Sequence, residues 1–311
     1  VSIYVEGEHH SDKRVSPVKK GIARIAFAAF EKHALNDLQI IPAGINYTNE
    51  GLPRSSVYVN FGKPIFVRDY WPTYQVSPSR AILNLCRDIE AKLKESCYQI
   101  DAVDDDLVGD QMLEVYRSNT TEKWFPPVVH GSQDRFLEEK QVLNRLNAAD
   151  TLQKDELKRV ASDYFNGLSA AGLKDDALCH PKHGRLGKLF GYALGFIPFL
   201  IGRLGTYPVL GLAKYVADKK VSKKEFYGSV RIGVGFISGL LYFPLVIVVS
   251  LFSGNAIVIG LALLLPVLGL FAMSYRESFL AWKEARKAKA HPERDVLLEK
   301  RASLMQLWDK L

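Results

Sequence analysis

Hydrophobic and polar positions divide this chain sharply. Residues 232–275 contain no charged side chain, and a helix needs about 20 apolar residues to cross a bilayer, so the run can cross twice. Residues 232–252 and 256–275 each supply such a segment, joined by Ser253-Gly254-Asn255, which is turn chemistry. Pro244 and Pro266 fall inside the two segments, where neighbouring helices can satisfy the freed carbonyls. An earlier apolar stretch, 189–213, holds Arg203, Pro198, Pro208 and several glycines, and its pattern leaves a spanning helix and a re-entrant or surface-lying segment as alternatives. Past Arg276, Phe279 and Trp282 among lysines and arginines predict an interfacial helix leaving the membrane.

Ahead of the membrane region the periodicity changes. Residues 1–5 form a short apolar run that predicts a strand, and residues 6–16 are polar and predict a turn. Ser16 is a good N-cap and Pro17 suits the first helical position, with Val18, Ile22, Ile25, Ala26 and Ala29 on one face of a helix ending near Leu35. Strands are predicted at 38–47 and at 55–61, where Val57, Val59 and Phe61 share a side. Strand, helix, strand is the order of an α/β unit with a largely buried sheet. A second amphipathic helix follows over 79–96 through Ile82, Leu85, Cys86, Ile89 and Leu93. The acidic stretch 101–110 and Pro126-Pro127 predict loop and short helices. Residues 133–173 read as a connecting helical segment whose thin apolar face is Leu137, Val142, Leu146, Leu152, Leu157, Val160 and Tyr164.

Charge and cysteine usage narrow the function classes. The net charge of +7 comes without a basic run interleaved with aromatics and without a helix-turn-helix, zinc or RNA-binding pattern, so an anionic membrane surface explains it better than nucleic acid. Cys86, Cys97 and Cys179 are odd in number and widely spaced, which argues against a disulfide framework and a zinc site and for a reducing compartment. Basic residues flank the hairpin on both sides, Lys219, Lys220, Lys223, Lys224 and Arg231 before it and Arg276, Lys283, Arg286, Lys287 and Lys289 after it, so both ends are expected in the cytoplasm.

Lys19 and Lys20 fall in the first turn of the helix expected after Pro17, where cations conflict with the macrodipole unless an anion sits nearby. A phosphate at the helix N-terminus would remove the conflict; lysines reaching into solvent are the alternative. Resemblance adds to this. Tyr4-Val5-Glu6-Gly7-Glu8-His9-His10-Ser11 followed by Pro17-Val18-Lys19-Lys20-Gly21-Ile22-Ala23-Arg24-Ile25-Ala26 resembles the third conserved block of the glycerolipid acyltransferases, the glycerol-3-phosphate and lysophosphatidic acid acyltransferases. That block runs roughly F-P-E-G, then P-L/F-K-x-G-A-A-R-I-A. Ile40-Ile41-Pro42-Ala43-Gly44-Ile45-Asn46-Tyr47 is similar to the fourth block, V-P-V-G-I-x-Y, and residues 54–65 resemble the strand after it. The three segments keep the family's order and cover about the first fifth of the chain.

The resemblance implies transfer of a fatty acyl group from a thioester to the hydroxyl of a phosphorylated glycerol acceptor. It implies no cofactor beyond the co-substrate, acyl-CoA or acyl carrier protein, and no metal. Glu6 and Gly7 match the acceptor-binding pair, Lys20 stands where it can meet the phosphate, and Pro42 matches the proline that shapes the substrate or acyl site. Partners so implied are membrane lipids, the acyl donor and the phosphorylated acceptor. The chain departs from the family at Val5, where proline is usual, and at Glu8-His9-His10. Adjacent His9 and His10 lack accompanying ligands at metal spacing and fit solvent-exposed or acceptor-contacting roles.

The family's base and orienting carboxylate, spaced H-x4-D, occur nowhere in this sequence. His33 with Asp37, His130 with Asp134 and His291 with Asp295 are one residue too close and read as structural pairs. The chain begins at Val1 and is expected to be an N-terminally truncated piece, inactive alone, with no catalytic residue in it. The expected organisation is the C-terminal half of an acyltransferase domain over 1–100, with a partial sheet and flanking helices, a helical connecting region over 101–185, a transmembrane helical region over 186–290 and a helical tail over 291–311. A non-catalytic, membrane-anchored lipid-binding protein with a degenerate acyltransferase domain is the alternative. A transporter is disfavoured because only Arg203 is ionisable within the apolar segments.

Overall fold

The computed structural model describes residues 1–7, 12–33, 35–48, 55–119, 133–180, 187–222 and 224–311. They form two compact units, one of residues 1–109 and 133–148, the other of 110–119 and 149–311. Helix dominates, and the strands make two separate two-stranded antiparallel sheets.

In the first unit, helix α1 (Gly21–His33) buries Ala23, Ala26, Phe27 and Phe30, one stripe at helical spacing. The short strands β1 (Gln39–Ile40), β2 (Ala43–Tyr47), β3 (Val57–Phe61) and β4 (Ile65–Phe66) pair as β1 with β4 and β2 with β3. After them come α2 (Trp71–Val76) and α3 (Pro78–Ser96), whose Ala81, Leu85, Cys86, Ile89 and Leu93 complete a core with α1. Aromatic rings close one side of it, Phe27 stacked on Tyr74 with centroids 4.1 Å apart and Phe30 against Trp71 at 5.1 Å. Thus the expected helix at 79–96 forms with its expected face, although Ile82 is only half-buried.

Other expectations at this end are corrected. Residues 1–5 form no strand, since no ladder partner stands beside them among the described residues. The helix does not start at Pro17. Ser16 N–H donates to Glu6 Oε1 (2.8 Å) and Lys19 N–H to Val5 O (2.9 Å), which holds 16–19 extended against 5–7, so α1 opens only at Gly21. The single strand expected over 38–47 breaks at Ile41-Pro42 into β1 and β2, because proline has no N–H for a ladder. No largely buried sheet forms among the described residues either. The face carrying Ile45, Tyr47, Val57, Val59 and Phe61 is exposed, and the positions of β2 that point inward are Gly44 and Asn46.

Helix α4 (Asp106–Ser118) follows a 3-10 turn, so more of this acidic region is regular than the charge pattern suggested. Helix α5 (Gln133–Ala148) packs Phe136, Val142, Leu143 and Leu146 into the first unit. Leu137 stays exposed, as does Leu152 at 82%, so these two drop out of the expected apolar face. Pro126-Pro127 lie outside the described residues.

The second unit begins its regular structure with α6 (Thr151–Ala171), capped by a reciprocal Asp150–Gln153 box and ended by Gly172 in the left-handed region. Helix α7 (Asp175–Cys179) is one turn long. Then come α8 (Lys188–Gly205), α9 (Tyr207–Lys220), α10 (Lys224–Leu251), α11 (Ala256–Ala290) and α12 (Arg294–Lys310). Two helices, Phe226–Leu251 and Ala256–Ala290, are long and apolar enough to cross a membrane, and they flank the expected turn at 253–255. Helix α11 continues without a break through Phe279 and Trp282, so the expected interfacial helix is the extension of the second span. The open stretch 189–213 resolves into α8 and α9, bent by 55° at Thr206.

Candidate functional site

The residues matching the third block sit on a turn clamped to the start of α1. Gly7 has φ +76, a conformation open to glycine, and a Cβ there would lie 3.7 Å from Lys19 Cγ. The Val5–Lys19 and Glu6–Ser16 hydrogen bonds fix this turn from both sides. Glu6 therefore holds the loop with one carboxylate oxygen. Lys19 and Lys20 are exposed and precede α1, instead of lying in its first turn. Lys20 O accepts from Arg24 N at 3.2 Å, which makes Lys20 the residue from which the helix departs. Beside it, a Cβ on Gly21 would meet nothing within 4 Å, and the first amides of α1 have no acceptor within the helix itself.

Pro42 is buried under the hairpin. Its carbonyl accepts from Gly62 N at 2.8 Å, and a Cβ on Gly62 would lie 3.5 Å from Pro42 Cβ and 3.3 Å from Ser96 Oγ. Gly44 is tighter still, since a Cβ there would fall 2.3 Å from Ser96 O. The glycine and proline of the fourth block thus bring β2 directly onto the C-terminal end of α3. Asn46 Nδ2 donates to Ser96 O (3.0 Å) while its Oδ1 accepts from Tyr98 N (2.7 Å), and Asn60 Nδ2 also reaches Ser96 O (3.3 Å). Lys140 Nζ adds a bond to Lys94 O at 2.7 Å and another to Glu95 O. These donors satisfy carbonyls that a helix end leaves open, and the ammonium suits the negative pole.

Helix α3 is the floor shared by these groups. Burial pushes the Cys97 thiol, at its end, up to about 11, with the Glu6 charge adding to the shift and Lys140 opposing it. Burial also raises the Cys86 thiol, in its middle, against the opposing charge of Lys20. In the second unit burial and Asp175 push Cys179 up to about 12. A thiol so raised stays protonated at neutral pH, so none of the three is set up as a nucleophile.

The remaining candidates divide clearly. Glu8, His9, His10 and Ser11 lie outside the described residues, as does His130. Asp37 pairs with Arg68 at 3.6 Å on the surface. His291 Nδ1 accepts from Glu293 N at 3.3 Å ahead of α12, and Asp295 pairs with Arg294. No group of three or more His, Cys, Asp and Glu among the described residues could hold a metal ion.

Sequence reasoning passed over two polar clusters. Asn46, Asn60 and Lys140 were one; asparagine in the middle of an apolar strand was the available signal, since strands disfavour it. The other lies in the second unit, where Arg301 Nε and Nη2 clasp Asp175 Oδ1 and Oδ2 at 2.7 and 3.2 Å, and the Tyr164 hydroxyl donates to the same carboxylate. Arg301 Nη2 also donates to Asn119 Oδ1 at 2.9 Å. Asp175 is wholly buried and fully used, so this cluster joins α4, α6, α7 and α12 and offers nothing to a substrate.

Comparison with known proteins gives a consistent direction. The chain is similar to glycerol-3-phosphate O-acyltransferase 2 of Saccharomyces cerevisiae, 23% identical over 239 residues that take in 72% of this chain and 31% of the relative. It is 35% identical over 65 residues to glycerol-3-phosphate O-acyltransferase 1 of the same yeast, covering 21% of this chain and 9% of the relative. An uncharacterized acyltransferase of Schizosaccharomyces pombe is 28% identical over 81 residues, 26% of this chain and 12% of that one. The chain thus spans about a third of the first of these relatives and less of the other two. No protein-family model matches, and no solved structure does.

Proposed function

We propose that the protein acts in a membrane-bound acyltransferase of phospholipid synthesis, which moves a fatty acyl group from acyl-CoA or acyl carrier protein to a glycerol-phosphate or lysophospholipid hydroxyl. The observation that carries this reading is the reach of the yeast similarity. A match over 72% of the chain cannot be confined to the motif blocks at 4–65, so it extends beyond the residues that first suggested the family.

This chain's share of the work is acceptor binding. Lys19, Lys20 and the free amides at the start of α1 hold the phosphate, Glu6 and Gly7 shape the turn beside them, and Pro42 and Gly44 seat the hairpin on α3. The acceptor hydroxyl must lose a proton as it attacks the thioester carbonyl, and a histidine oriented by a carboxylate is the usual base. The family's motif for that base is absent from these 311 residues. A second reading is a membrane-anchored protein that binds glycerophospholipid without turning it over.

Purified in detergent, the 311-residue chain is expected to bind glycerol-3-phosphate, and Lys20→Ala to weaken binding by roughly 10- to 100-fold, about 1.5–3 kcal/mol for a charge-assisted contact. Incubation with labelled acyl-CoA is expected to give no acylated product. Transfer by this chain alone, unchanged by Glu6→Ala, overturns the site; binding with no transfer in any longer form of the protein favours the second reading.

A further inference from the structure

The contacts of α8 and α9 show how deep the bent pair goes and on which side it ends. Arg231 and Arg276 bound the charge-free hairpin at one end, and the turn at 252–255 marks the other. Helix α8 runs antiparallel to α11. Near its start, the Tyr192 hydroxyl bonds Ser278 O at 2.9 Å, and Tyr275 donates back to Tyr192 O at 2.7 Å, both at the arginine end. Near its finish, a Cβ on Gly202 would lie 2.1 Å from Leu268 O, and one on Gly269 would lie 2.6 Å from Thr206 Cγ2. Thr206 therefore sits at the level of residues 265–269, midway along the second span.

Helix α9 climbs back along α10. A Cβ on Gly239 would be 3.9 Å from Val209 Cγ1, one on Gly235 would be 3.7 Å from Ala213 Cβ, and Tyr227 donates to Asp218 Oδ1 at 2.7 Å. Tyr227 precedes Arg231, so α9 ends at the arginine end again, among Lys214, Asp218, Lys219 and Lys220. A broken span would instead finish beside the turn at 252–255. The chain bends by 55° at Thr206, the deepest level these contacts reach, about half of a 30 Å hydrocarbon core.

We propose that α8 and α9 form a re-entrant wedge that enters and leaves one leaflet at the arginine end of the hairpin, and that its outward faces bind the acyl chains of that leaflet. The glycines at 195, 202, 205 and 269 let the wedge press against the spans in the manner of small residues at membrane helix interfaces. Leu194, Ile197, Leu204, Leu210 and Leu212 of the wedge are exposed, as are Leu240, Leu241, Leu263 and Leu264 of the spans. The inference rests on the hairpin crossing the membrane and is independent of any acyltransferase activity.

The test uses the full chain in sealed native membrane vesicles and a membrane-impermeant maleimide, with labelled peptides identified by mass so that native cysteines are told apart. Gly187→Cys, Lys219→Cys and Lys289→Cys are expected to behave alike and Ser253→Cys oppositely: the set inside the vesicle gains labelling severalfold on permeabilisation, and the set outside is unchanged. Lys219→Cys on the face of Ser253→Cys overturns the wedge, and all four on one face overturn the hairpin it rests on. Trypsin on the unsubstituted chain gives a second reading: cuts at Lys219 or Lys220 from the face that exposes 283–289 support the wedge, and cuts from the other face refute it.

Discussion

Gly44 has no room for a methyl group, because the carbonyl it would strike belongs to the main chain of Ser96 and cannot swing aside. Gly44→Ala is therefore expected to destabilise the first unit by about 1–3 kcal/mol, the usual cost of overpacking, and to lower its thermal or urea midpoint. Ala43→Ser, on the exposed side of the same strand, should leave the midpoint unchanged. Cys97 next to it reports on Glu6. Burial first, and the Glu6 carboxylate second, raise the thiol to about 11, so alkylation of the folded chain should rise with an apparent pKa near that value. Glu6→Gln should move the profile to lower pH; an unmoved profile would place Glu6 elsewhere. The unfolded thiol ionises near 8.5, so between there and 11 the unfolded chain binds fewer protons. This contribution to stability is whole below pH ~8.5 and is lost as pH rises toward 11.

Among elements, α3 was legible because its apolar residues recur on one face and Ser96-Cys97 end it, and the structure returns that helix over Pro78–Ser96. The hairpin β2–β3 was legible as strands but not in orientation. Alternation of Val57, Val59 and Phe61 marks a pleated strand, yet which face turns inward depends on what lies beneath it. Beneath it lie the open carbonyls of α3, which require Asn46 and Asn60 and leave the apolar side outermost. The extended segment at 16–19 was hidden for a similar reason. Its N–H groups find Val5 and Glu6, partners that no local pattern names.

Asp175 is the element-scale case in the second unit. In sequence it stands in Lys174-Asp175-Asp176 and looks like surface charge, but in the fold it is the buried acceptor for Tyr164 and Arg301. Asp175→Ala leaves the Arg301 guanidinium without its carboxylate and is expected to cost about 3–5 kcal/mol, read as a lower unfolding midpoint in detergent. Asp176→Ala, whose carboxylate lies on the surface 3.6 Å from His180, should cost far less.

At the scale of the whole molecule, the charge-free run 232–275 was the plainest feature of the sequence, and the structure places α10 and the first part of α11 on it. Composition sufficed there because bilayer thickness sets helix length directly. It could not decide 189–213, where the outcome rests on which turns of α10 and α11 the glycines of α8 and α9 touch. Orientation is a separate question, governed by charge outside the lipid. Six lysines and arginines lie in 214–231 and five in 276–289, while 252–255 holds none. The positive-inside rule predicts a turn that faces away from the cytoplasm and a tail that faces into it. A reporter that matures only in the cytoplasm should therefore be active when fused after Leu311 and silent when inserted at Asn255. Activity at Asn255 with silence at Leu311 would invert the orientation while keeping the hairpin, whereas activity at both positions would mean that 232–275 does not cross at all.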